Sequence, residues 1–473
     1  MRRTKIVCTL GPASAAEETI EKMLLAGMNV ARLNFSHGTY EDHAETIRRF
    51  RAVRDKLKLP AAVLLDTKGP EIRIGTVTNG PVELEKGAAF TLTTRAVEGT
   101  NHIVSVSYAD LPRQLNKGNR VLIDDGKIVL SVNECTETDI LCTVVSGGFI
   151  NSRKGVNVPY IHLDMPYMSE KDEADLKFGI EQDVDFVAAS FVRCREDVIT
   201  LRKFLDYHGG HSIKIIAKIE NSEGVDNFDS ILAAADGIMV ARGDMGVEIA
   251  FERLPGIQKK FIRKCYKAGK MVITATQMLE SMVHNPTPTR AEITDVANAV
   301  FDGTSAVMLS GETAMGEFPA RVVEVMSSIV EQAERDAFEM DVYHGIGYEN
   351  DGNDTTNAVC DAACTMARDI QAAAIIAVTK SGHTARRASK FRPSQAIVAA
   401  TPEPKTFHQL SLSWGVAPVL ALYQDDSDKL FRHAIDCAVQ IDLVAAGDRV
   451  VITSGVPLDV SGTTNLLKVE TVK

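Results

Sequence analysis

The sequence predicts an α/β protein: a (β/α)₈ (TIM) barrel that is interrupted by an all-β domain and followed by an open α/β domain. Eight short apolar runs alternate with segments of helical periodicity. This alternation stops over residues 70–168, where short alternating runs and Asp-Gly turns replace the helices. A second series of strands and helices begins near residue 355. The predicted domains are therefore 1–69 with 169–340 (barrel), 70–168 (a β-barrel-like lid) and 355–473 (C-terminal α/β).

The barrel strands are predicted from short runs of β-branched and other apolar residues. They are Lys5–Leu10, Met28–Asn34, Ala61–Thr67, Val184–Phe191, Ile213–Glu220, Gly237–Val240, Met271–Thr276 and Ala306–Ser310. Helices are predicted at 16–27, 40–58, 195–208, 224–234, 252–268, 291–301 and 318–335, and Ser169 caps a further helix that has an acidic first turn. Residues 336–356 are predicted to be a linker.

Composition restricts the class of protein. The chain has 473 residues, of which 45% are hydrophobic, and its net charge of -11 argues against general nucleic-acid binding. The eight cysteines form no paired C-x-x-C set, and Cys360 and Cys364 share a helical face, as small core residues do. The N-terminus resembles no signal peptide, and no apolar run reaches the length of a membrane span. We therefore expect a soluble, cytoplasmic protein that binds neither nucleic acid nor membranes.

The strand Ile213–Glu220 ends in two charged residues. Lys218 and Glu220 stand two positions apart, so they point to the same face of the strand. Such a pair is costly to bury, and a structural ion pair is one explanation. The next strand is followed by Asp244, a second strand-end carboxylate. Two carboxylates of this kind suit Mg²⁺, and Lys218 beside them would stabilise a transferring phosphoryl group or a developing enolate.

Other strand ends carry neutral oxygens and cations. Asn34, Ser36, Asp66 and Thr67 provide one carboxylate among neutral oxygens, which suits a cation of low charge such as K⁺; helix capping is the alternative explanation. Three cations lie where the barrel mouth is expected, namely Arg32, Arg73 and Lys154, although each taken singly is typical of a solvated surface. The chain leaves the barrel at Arg73 and returns at Lys154, so the inserted domain is expected to act as a lid that excludes water.

The strand Gly237–Val240 is followed by glycines that allow close backbone approach. Gly243 and Gly246 flank Asp244, and free N–H groups there could hold a substrate carboxylate. Thr276 ends the seventh strand and could contact the same substrate. The strand ends together therefore predict a site for an anionic substrate.

The C-terminal domain carries a second anion-binding pattern. Its first strand is followed by hydroxyls, a glycine and a helix start, in the residues Thr379, Lys380, Ser381, Gly382, His383 and Thr384. A generic capped turn is the alternative explanation. The pattern predicts a separate regulatory pocket, over which the loop Ser454–Asn465 could close.

Long stretches of the sequence resemble the pyruvate kinase family, from Thr4 to the C-terminus. They include M-N-V-A-R-L-N-F-S-H-G, L-L-D-T-K-G-P-E-I-R, I-I-A-K-I-E-N-S-E-G, M-V-A-R-G-D-M-G-V-E and I-T-A-T-Q-M-L-E-S-M. The resemblance is to the K⁺-dependent bacterial and animal type, without an extra C-terminal domain. It implies a glycolytic transfer of the phosphoryl group of phosphoenolpyruvate to ADP, which gives pyruvate and ATP.

The resemblance also assigns roles. It implies that Lys218, Arg32 and Thr276 are catalytic. By the same resemblance, Mg²⁺ (or Mn²⁺) would be bound by Glu220 and Asp244, and K⁺ by Asn34, Ser36, Asp66 and Thr67. Phosphoenolpyruvate contacts Arg32, Lys218, Gly243, Asp244 and Thr276, and the nucleotide faces Asn34, Phe35, Ser36, His37, Arg73 and Lys154.

Glu71 matches the K⁺-dependent members, since those that work without K⁺ tend to carry Lys there. The enolate proton is expected from Thr276, or from a water held by Thr276 and Ser310. The family resemblance further implies a homotetramer and an allosteric sugar-phosphate site at 379–384. Val456-Pro457 departs from the Trp-Arg pair of the animal enzymes, which leaves a monophosphate effector, or none, open.

Two other functions are compatible with parts of the pattern. A Mg²⁺-dependent aldolase or lyase acting on pyruvate would share the barrel and the carboxylates, but it would not need Arg73, Lys154, the K⁺ residues or a lid. A sensor that only binds metabolites would usually have lost Lys218, Glu220 or Asp244, and all three are present.

Overall fold

The structure is a computed structural model that describes residues 1–78, 80–343, 354–424, 426–457 and 463–473. The chain begins with three strands and two helices in alternation. They are β1 (Lys5–Thr9), α1 (Glu17–Ala26), β2 (Val30–Asn34), α2 (Tyr40–Lys56) and β3 (Ala62–Asp66). All three strands are buried almost along their whole length, as parallel strands covered on both faces should be.

An all-β unit interrupts the barrel after β3. Its elements are β4 (Ile72–Arg73), β5 (Val82–Leu84), β6 (Ala89–Thr93), β7 (Ile103–Ser105), α3 (Leu111–Gln114), β8 (Arg120–Ile123), β9 (Ile128–Cys135), β10 (Asp139–Ser146), β11 (Gly148–Ile150) and β12 (Gly155–Asn157). Seven strands form a mixed sheet in the order β4-β12-β8-β9-β10-β6-β7, and β11 pairs with β5. The short helix α3 was not expected in this region. It begins at Leu111-Pro112, where proline favours a first helical turn.

The barrel resumes after the insertion. Its elements are α4 (Glu170–Glu181), β13 (Phe186–Ala189), α5 (Arg195–Tyr207), β14 (Lys214–Ile219), α6 (Ser222–Asp226), α7 (Phe228–Ala234), β15 (Gly237–Ala241), α8 (Arg242–Glu248), α9 (Leu254–Lys267), β16 (Met271–Ala275), α10 (Arg290–Phe301), β17 (Ala306–Leu309), α11 (Gly311–Ala314) and α12 (Pro319–Glu339), with 3-10 turns at Phe251–Arg253 and Glu280–Val283. The eight parallel strands close in the order β1-β17-β16-β15-β14-β13-β3-β2. The predicted (β/α)₈ barrel is confirmed.

The C-terminal part is an open α/β unit. Its elements are α13 (Thr355–Asp369), β18 (Ala374–Val378), α14 (His383–Lys390), β19 (Ala396–Thr401), α15 (Pro404–Gln409), a 3-10 turn (Leu410–Leu412), β20 (Val416–Leu420), α16 (Ser427–Gln440), β21 (Arg449–Gly455) and β22 (Thr464–Thr471). The sheet order is β20-β19-β18-β21-β22, and only the pair β21–β22 is antiparallel. Cys360 and Cys364 are buried in its core, as predicted.

Besides α3, the short helices α8 and α11 were not predicted, and three further segments differ from the sequence prediction. Helix α12 continues through residues 336–339 of the predicted linker, and residues 344–353 of that linker lie outside the described residues. The predicted helix 224–234 is two helices with a break at Asn227. In the predicted loop Ser454–Asn465, both ends belong to the paired strands β21 and β22, and residues 458–462 are not described. Within the described chain, no helix is long and apolar enough to span a membrane.

The helix starts follow local chemistry. Thr39, Ser169 and Thr289 each accept a hydrogen bond from the backbone N–H three residues later, and the acidic side chain at that position bonds back to the cap. The acidic first turn predicted after Ser169 is part of such a capping box. These caps fix where the helices begin, and therefore the length of the loops that carry the strand-end residues.

The barrel interior is filled by side chains from all eight strands and by one residue of the C-terminal unit. Its members are Val7, Val30, Ala62, Leu64, Phe186, Ala188, Ile216, Met239, Met271, Ile273, Ala275, Ala306, Met308 and Leu412. The neighbours of Leu412 dock at the amino ends of the strands: Ser411 Oγ donates to the Asn29 carbonyl (3.1 Å), and Gln409 Nε2 donates to the Ser212 carbonyl (2.7 Å). The C-terminal unit therefore closes the end of the barrel opposite to the strand-end residues.

Replacing Leu412 by Ala should destabilise the barrel as well as the C-terminal unit. Leu412 is fully buried, and such truncations cost about 2–5 kcal/mol. Equilibrium urea unfolding followed by circular dichroism measures the change. Leu420→Ala is the matched control, because Leu420 is 53% exposed on β20. Equal stability of the two variants would contradict the role given to Leu412.

Candidate active site

A buried lysine lies at the carboxyl end of β14. Lys218 Nζ contacts Glu220 Oε1 at 2.9 Å and Asp66 Oδ1 at 3.1 Å, and it donates to Ser190 Oγ at 2.7 Å. Burial alone would lower the pKa of Lys218, but Asp66 and Glu220 outweigh burial and raise the pKa above its ordinary value. The ammonium group is therefore held charged and in a fixed position.

Asp66, at the end of β3, lies between two cations. Arg32 Nε contacts Asp66 Oδ2 at 2.6 Å, and the same guanidinium donates to Thr9 Oγ1 at 2.8 Å. Burial would raise the pKa of Asp66, but Arg32 and Lys218 together hold the pKa below its ordinary value. Asp66 is thus a permanent anion that fixes Arg32 and Lys218 on the same side of the barrel mouth.

Glu220 and Asp244 form a carboxylate pair at the ends of the paired strands β14 and β15. Burial raises the pKa of Glu220 to about 7 even beside Lys218, and the Asp244 carboxylate adds to the shift. Burial also raises the pKa of Asp244. Phe191 N donates to Glu220 Oε2 at 2.7 Å, which orients that carboxylate. A buried carboxylate beside a half-buried one, with charges that are unfavourable in this structure, is typical of a site for a divalent cation.

Thr276 follows β16 in a strained conformation. Its φ is 68° and that of Gln277 is 53°, a region that β-branched residues rarely adopt. Arg242 holds this turn, because its guanidinium pairs with Asp295 (2.7 Å) and donates to the Thr276 carbonyl. The strained backbone directs the Thr276 hydroxyl toward the start of α8.

The Thr276 hydroxyl accepts a hydrogen bond from the Gly243 N–H at 2.9 Å and donates to the Ala275 carbonyl at 2.6 Å. The expectation of a free N–H at Gly243 is therefore wrong for this structure, because the hydroxyl occupies that donor. Gly243 and Thr276 are nevertheless adjacent, as the sequence predicted for two residues that contact one substrate.

The residues predicted to bind K⁺ lie at the ends of β2 and β3. Asn34 is paired in register with Asp66, and its Oδ1 accepts the Ser36 N–H at 3.2 Å. Thr67 is buried, and its carbonyl accepts from Ser190 Oγ at 2.6 Å. Ser36 and His37 are exposed on the following loop. The structure thus brings the predicted oxygens to one part of the barrel mouth.

Phe35 differs from its neighbours in the loop. Its side chain is buried in the main core and stacks on His43 with 4.1 Å between ring centroids. The structure therefore does not bring the Phe35 side chain to the mouth, and only its backbone belongs to the loop that was predicted to face a nucleotide. The long aromatic side chain serves instead to anchor that loop to α2 and α4.

The all-β unit covers the barrel mouth. Asn157 Nδ2 donates to Glu248 Oε1 at 2.9 Å, and Tyr160 N donates to Ser222 Oγ at 3.1 Å. A cleft of about 800 Å³ remains between the two units, and its lining includes Glu71, Asp125, Asn221, Ser222, Asp244 and Glu248. The carboxylate Asp244 therefore faces a space large enough for a small-molecule substrate.

The two predicted lid cations are held by carboxylates. Arg73 forms a two-point ion pair with Glu71, with Nε–Oε2 and Nη2–Oε1 both at 2.8 Å. Lys154 contacts Asp124 at 2.8 Å. Arg73 lies in β4 and Lys154 lies directly before β12, where the chain enters and leaves the all-β unit.

Sequence reasoning missed Ser190, which is a central hydrogen-bond partner of Lys218 and Asp66. The predicted strand Val184–Phe191 included it as an interior residue, whereas β13 ends at Ala189. The rule that polar residues at strand ends carry chemistry would have found it if the strand end had been set correctly. The contacts of Asn157, Ser222 and Glu248 between the units left no such signal in the sequence.

The second predicted anion loop follows β18. Thr379 Oγ1 accepts the Gly382 N–H at 3.0 Å, and Gly382 has a φ of 77°, which favours glycine. The Thr384 hydroxyl is bonded to that of Thr464 at 2.7 Å. Thr379, Thr384 and Thr464 line a cavity of about 750 Å³, together with Lys380, Ser381, His383 and the apolar Leu422. The pocket is separate from the barrel mouth, and its regulatory role stays a prediction.

The fold and the strand-end chemistry define a barrel enzyme whose buried lysine and paired carboxylates suit transfer of an anionic group. Residues 1–323 match the family model described as "Pyruvate kinase, barrel domain", and residues 357–470 match "Pyruvate kinase, alpha/beta domain". The chain is similar over its full length to the pyruvate kinases of Clostridium acetobutylicum (47% identical, all of that protein covered), Staphylococcus saprophyticus (47%, 81% covered) and Geobacillus stearothermophilus (46%, 80% covered).

The chain belongs to the pyruvate kinase family. It is accordingly a phosphotransferase that moves the phosphoryl group of phosphoenolpyruvate to ADP and forms pyruvate and ATP. Nothing in the comparisons supports the aldolase alternative.

Replacing Ser190 by Ala should lower kcat/KM about ten- to a hundredfold, because a hydrogen bond to a charged group contributes about 1.5–3 kcal/mol. The variant leaves Lys218 charged but removes the acceptor that orients it. Steady-state kinetics measures the loss. Ser230→Ala is the control, since Ser230 is exposed on α7 and its hydroxyl bonds only locally to the Asn227 carbonyl. A wild-type rate for Ser190→Ala would exclude this positioning role.

Proposed function

We propose that Lys218 is the residue that neutralises the phosphoryl group during its transfer. The observation that carries this is its position: a buried, charged ammonium group that Asp66, Glu220 and Ser190 fix at the barrel mouth. A fixed charge of this kind needs no reorganisation when negative charge develops on the transferring group. Arg32 supports the same anion from the other side of Asp66.

Glu220 and Asp244 would bind Mg²⁺ or Mn²⁺. Their fit rests on the hard oxygen donors, their proximity and the raised pKa of both groups, which a bound dication would relieve. When bound, the divalent cation supplies charge neutralisation for the phosphate and enolate oxygens. Glu220 is oriented for this by the Phe191 N–H, and Asp244 faces the cleft.

Asn34, Ser36, Asp66 and Thr67 would bind K⁺. The negative charge of Asp66 is already matched by Arg32 and Lys218, and the other donors are neutral, so the set fits a cation of low charge. Glu71 supports a K⁺ requirement, because the cleft contains this carboxylate where K⁺-independent relatives tend to carry a fixed cation.

Gly243, Asp244 and Thr276 would contact phosphoenolpyruvate, and its carboxylate would compete for the Gly243 N–H that the Thr276 hydroxyl now accepts. The Thr276 hydroxyl donates its hydrogen bond to the Ala275 carbonyl. This favours a water held by Thr276 and Ser310 as the immediate donor to the enolate, since the Thr276 proton is already committed.

The all-β unit would act as the lid and hold the nucleotide. Arg73 and Lys154 lie at its hinges, and the exposed Ser36–His37 loop lies on the barrel side. Contacts such as Asn157–Glu248 would exclude water while the phosphoryl group is transferred. The backbone of Phe35 and the side chain of Asn34 complete this nucleotide-facing loop.

The second pocket would bind an allosteric sugar phosphate or other monophosphate. The loop beside it contains Thr379, Lys380, Ser381, Gly382, His383 and Thr384. Its support is the anion-binding turn and a cavity of about 750 Å³. The homotetramer and the glycolytic role are further parts of the proposal, and both rest on the family membership.

Lys218→Met should lower kcat by about three orders of magnitude or more while the fold survives, because a preorganised charge at the reacting group is lost. The assay is pyruvate formation from phosphoenolpyruvate and ADP with Mg²⁺, run with and without K⁺. Wild-type turnover that requires both ions supports the metal assignments.

Lys214→Met provides the control for this experiment. Lys214 lies at the other end of β14 and pairs with Asp236 near the surface at 3.1 Å. Its removal should leave turnover unchanged. Near-normal rates for Lys218→Met, or equal losses in both variants, would refute the role proposed for Lys218.

The double variant Ser381→Ala with Thr384→Ala should weaken activation by sugar phosphates and leave the maximal rate intact, since both residues are far from the barrel mouth and line the second pocket. The measurement is a phosphoenolpyruvate saturation curve at increasing fructose 1,6-bisphosphate or glucose 6-phosphate. Ser394→Ala, an exposed serine of the same unit, is the control. An unchanged activation curve in the double variant would disprove the pocket's assignment.

A further inference from the structure

A third cavity, of about 260 Å³, lies between the barrel and the C-terminal unit. On the barrel side it is bounded by the end of α9 and the start of β16. On the other side it is bounded by α14 and by the residues that follow the 3-10 turn Leu410–Leu412. Four cationic residues line it, namely Lys270, Arg386, Lys390 and Arg392, and no Asp or Glu is among the described residues of the lining. The described lining therefore carries a net positive charge, which Asp236, outside the lining, offsets in part at Lys270 and Arg386.

Arg392 is the most buried of these cations, with 5% of its surface exposed. Its guanidinium lies over the Trp414 ring at 4.4 Å and donates from Nη2 to the Gly303 carbonyl at 2.6 Å. Its Nε and Nη1 have no hydrogen-bond partner among the described residues. Burial lowers the pKa of Arg392 to about 10, although Tyr343, Tyr266 and Glu334 act in the opposite direction.

Two neutral groups of the lining, Ser413 Oγ and Trp414 Nε1, are also buried and have no hydrogen-bond partner within the described chain. Indole and guanidinium nitrogens can only donate hydrogen bonds, and the serine hydroxyl can donate one as well. Unpartnered buried donors are uncommon in native proteins, so a cluster of them beside a cavity points to a ligand that accepts hydrogen bonds.

The remaining cations are held in place around the cavity. Lys270 Nζ donates to the carbonyls of Ala233 (2.9 Å) and Ala235 (2.8 Å) at the end of α7, and Arg386 Nη2 donates to the Ser381 carbonyl at 2.7 Å. Gly269 lies at the edge of the cavity with a φ of 67°, a conformation that favours glycine. Lys270 and Arg386 supply fixed positive charge, while Arg392, Ser413 and Trp414 supply hydrogen-bond donors.

We propose that this cavity is a binding site for a small oxyanion of the phosphate type, either free phosphate or the phosphoryl end of a small ester. The lining offers several donors and positive charge, which match the oxygens of such a dianion. The space between the two units is narrow, so the bound group is small. The site is distinct from the barrel mouth and from the pocket behind Thr379–Thr384.

Because the cavity lies between the barrel and the C-terminal unit, a ligand bound there would affect both units. Helix α14 begins at the loop of the second pocket and ends at Lys390 in this cavity, and β16 begins in this cavity and leads to Thr276 at the barrel mouth. An anion held by both units would connect them directly. Because it binds only the assembled junction, it would also stabilise the folded chain by mass action.

Intrinsic fluorescence tests the proposal directly, because Trp414 is the only tryptophan in the sequence. Titration of the full-length protein with inorganic phosphate, at constant ionic strength in a chloride buffer, should give a saturable change in Trp414 emission. The replacement Lys390→Gln should weaken the apparent affinity about tenfold, the loss expected for one charge-assisted contact. Arg392→Lys keeps the charge but removes Nε and Nη1 as hydrogen-bond donors, so it should also weaken the apparent affinity for phosphate.

Lys380→Gln is the matched control, because Lys380 lines the second pocket and not this cavity. It should leave the titration unchanged. A parallel titration with glycerol 3-phosphate separates the two sources: a response to phosphate alone identifies the free ion, and an equal or tighter response to the ester identifies an ester. The proposal is overturned if neither anion changes the emission, or if Lys380→Gln abolishes the response while Lys390→Gln, folded by circular dichroism, retains it.

Discussion

The buried charge cluster around Asp66 is the interaction on which the barrel mouth depends. A single carboxylate at the end of β3 fixes Arg32 and Lys218, and each of the three would be costly to bury without the others. Ser190 completes the cluster with a neutral oxygen. Because the partners come from four different strands, the positions of the charges depend on correct closure of the barrel, so that catalysis and fold are specified together.

A second constraint acts on the turn that follows β16. The backbone of Thr276 and Gln277 stays in an unfavourable region only because Arg242, Asp295 and the following turn hold it there. This strain brings the Thr276 hydroxyl within 2.9 Å of Gly243 N. The ion pair Arg242–Asp295, outside the mouth, thus orients the neutral hydroxyl of Thr276 inside it.

The sequence contained enough to predict the barrel, the interruption and most of the strand-end residues, because apolar periodicity and the position of polar residues after strands are local signals. It did not reveal the role of Ser190, since an error of two residues in a strand end hid it. The bond between Gly243 and Thr276 depends on backbone angles that no residue pattern records. The burial of Phe35, inside an otherwise polar loop, and the insertion of Leu412 into the barrel interior both depend on packing between distant segments, which only the folded chain shows.

The insertion of Leu412 has a consequence for the order in which the chain is completed during synthesis. The last barrel strand ends at residue 309, but the interior of the barrel gains its final side chain only at residue 412, more than a hundred residues later on the ribosome. A nascent barrel that has emerged without this segment has an open lower end lined by apolar side chains. The barrel interior is therefore complete only after about half of the C-terminal unit has been made.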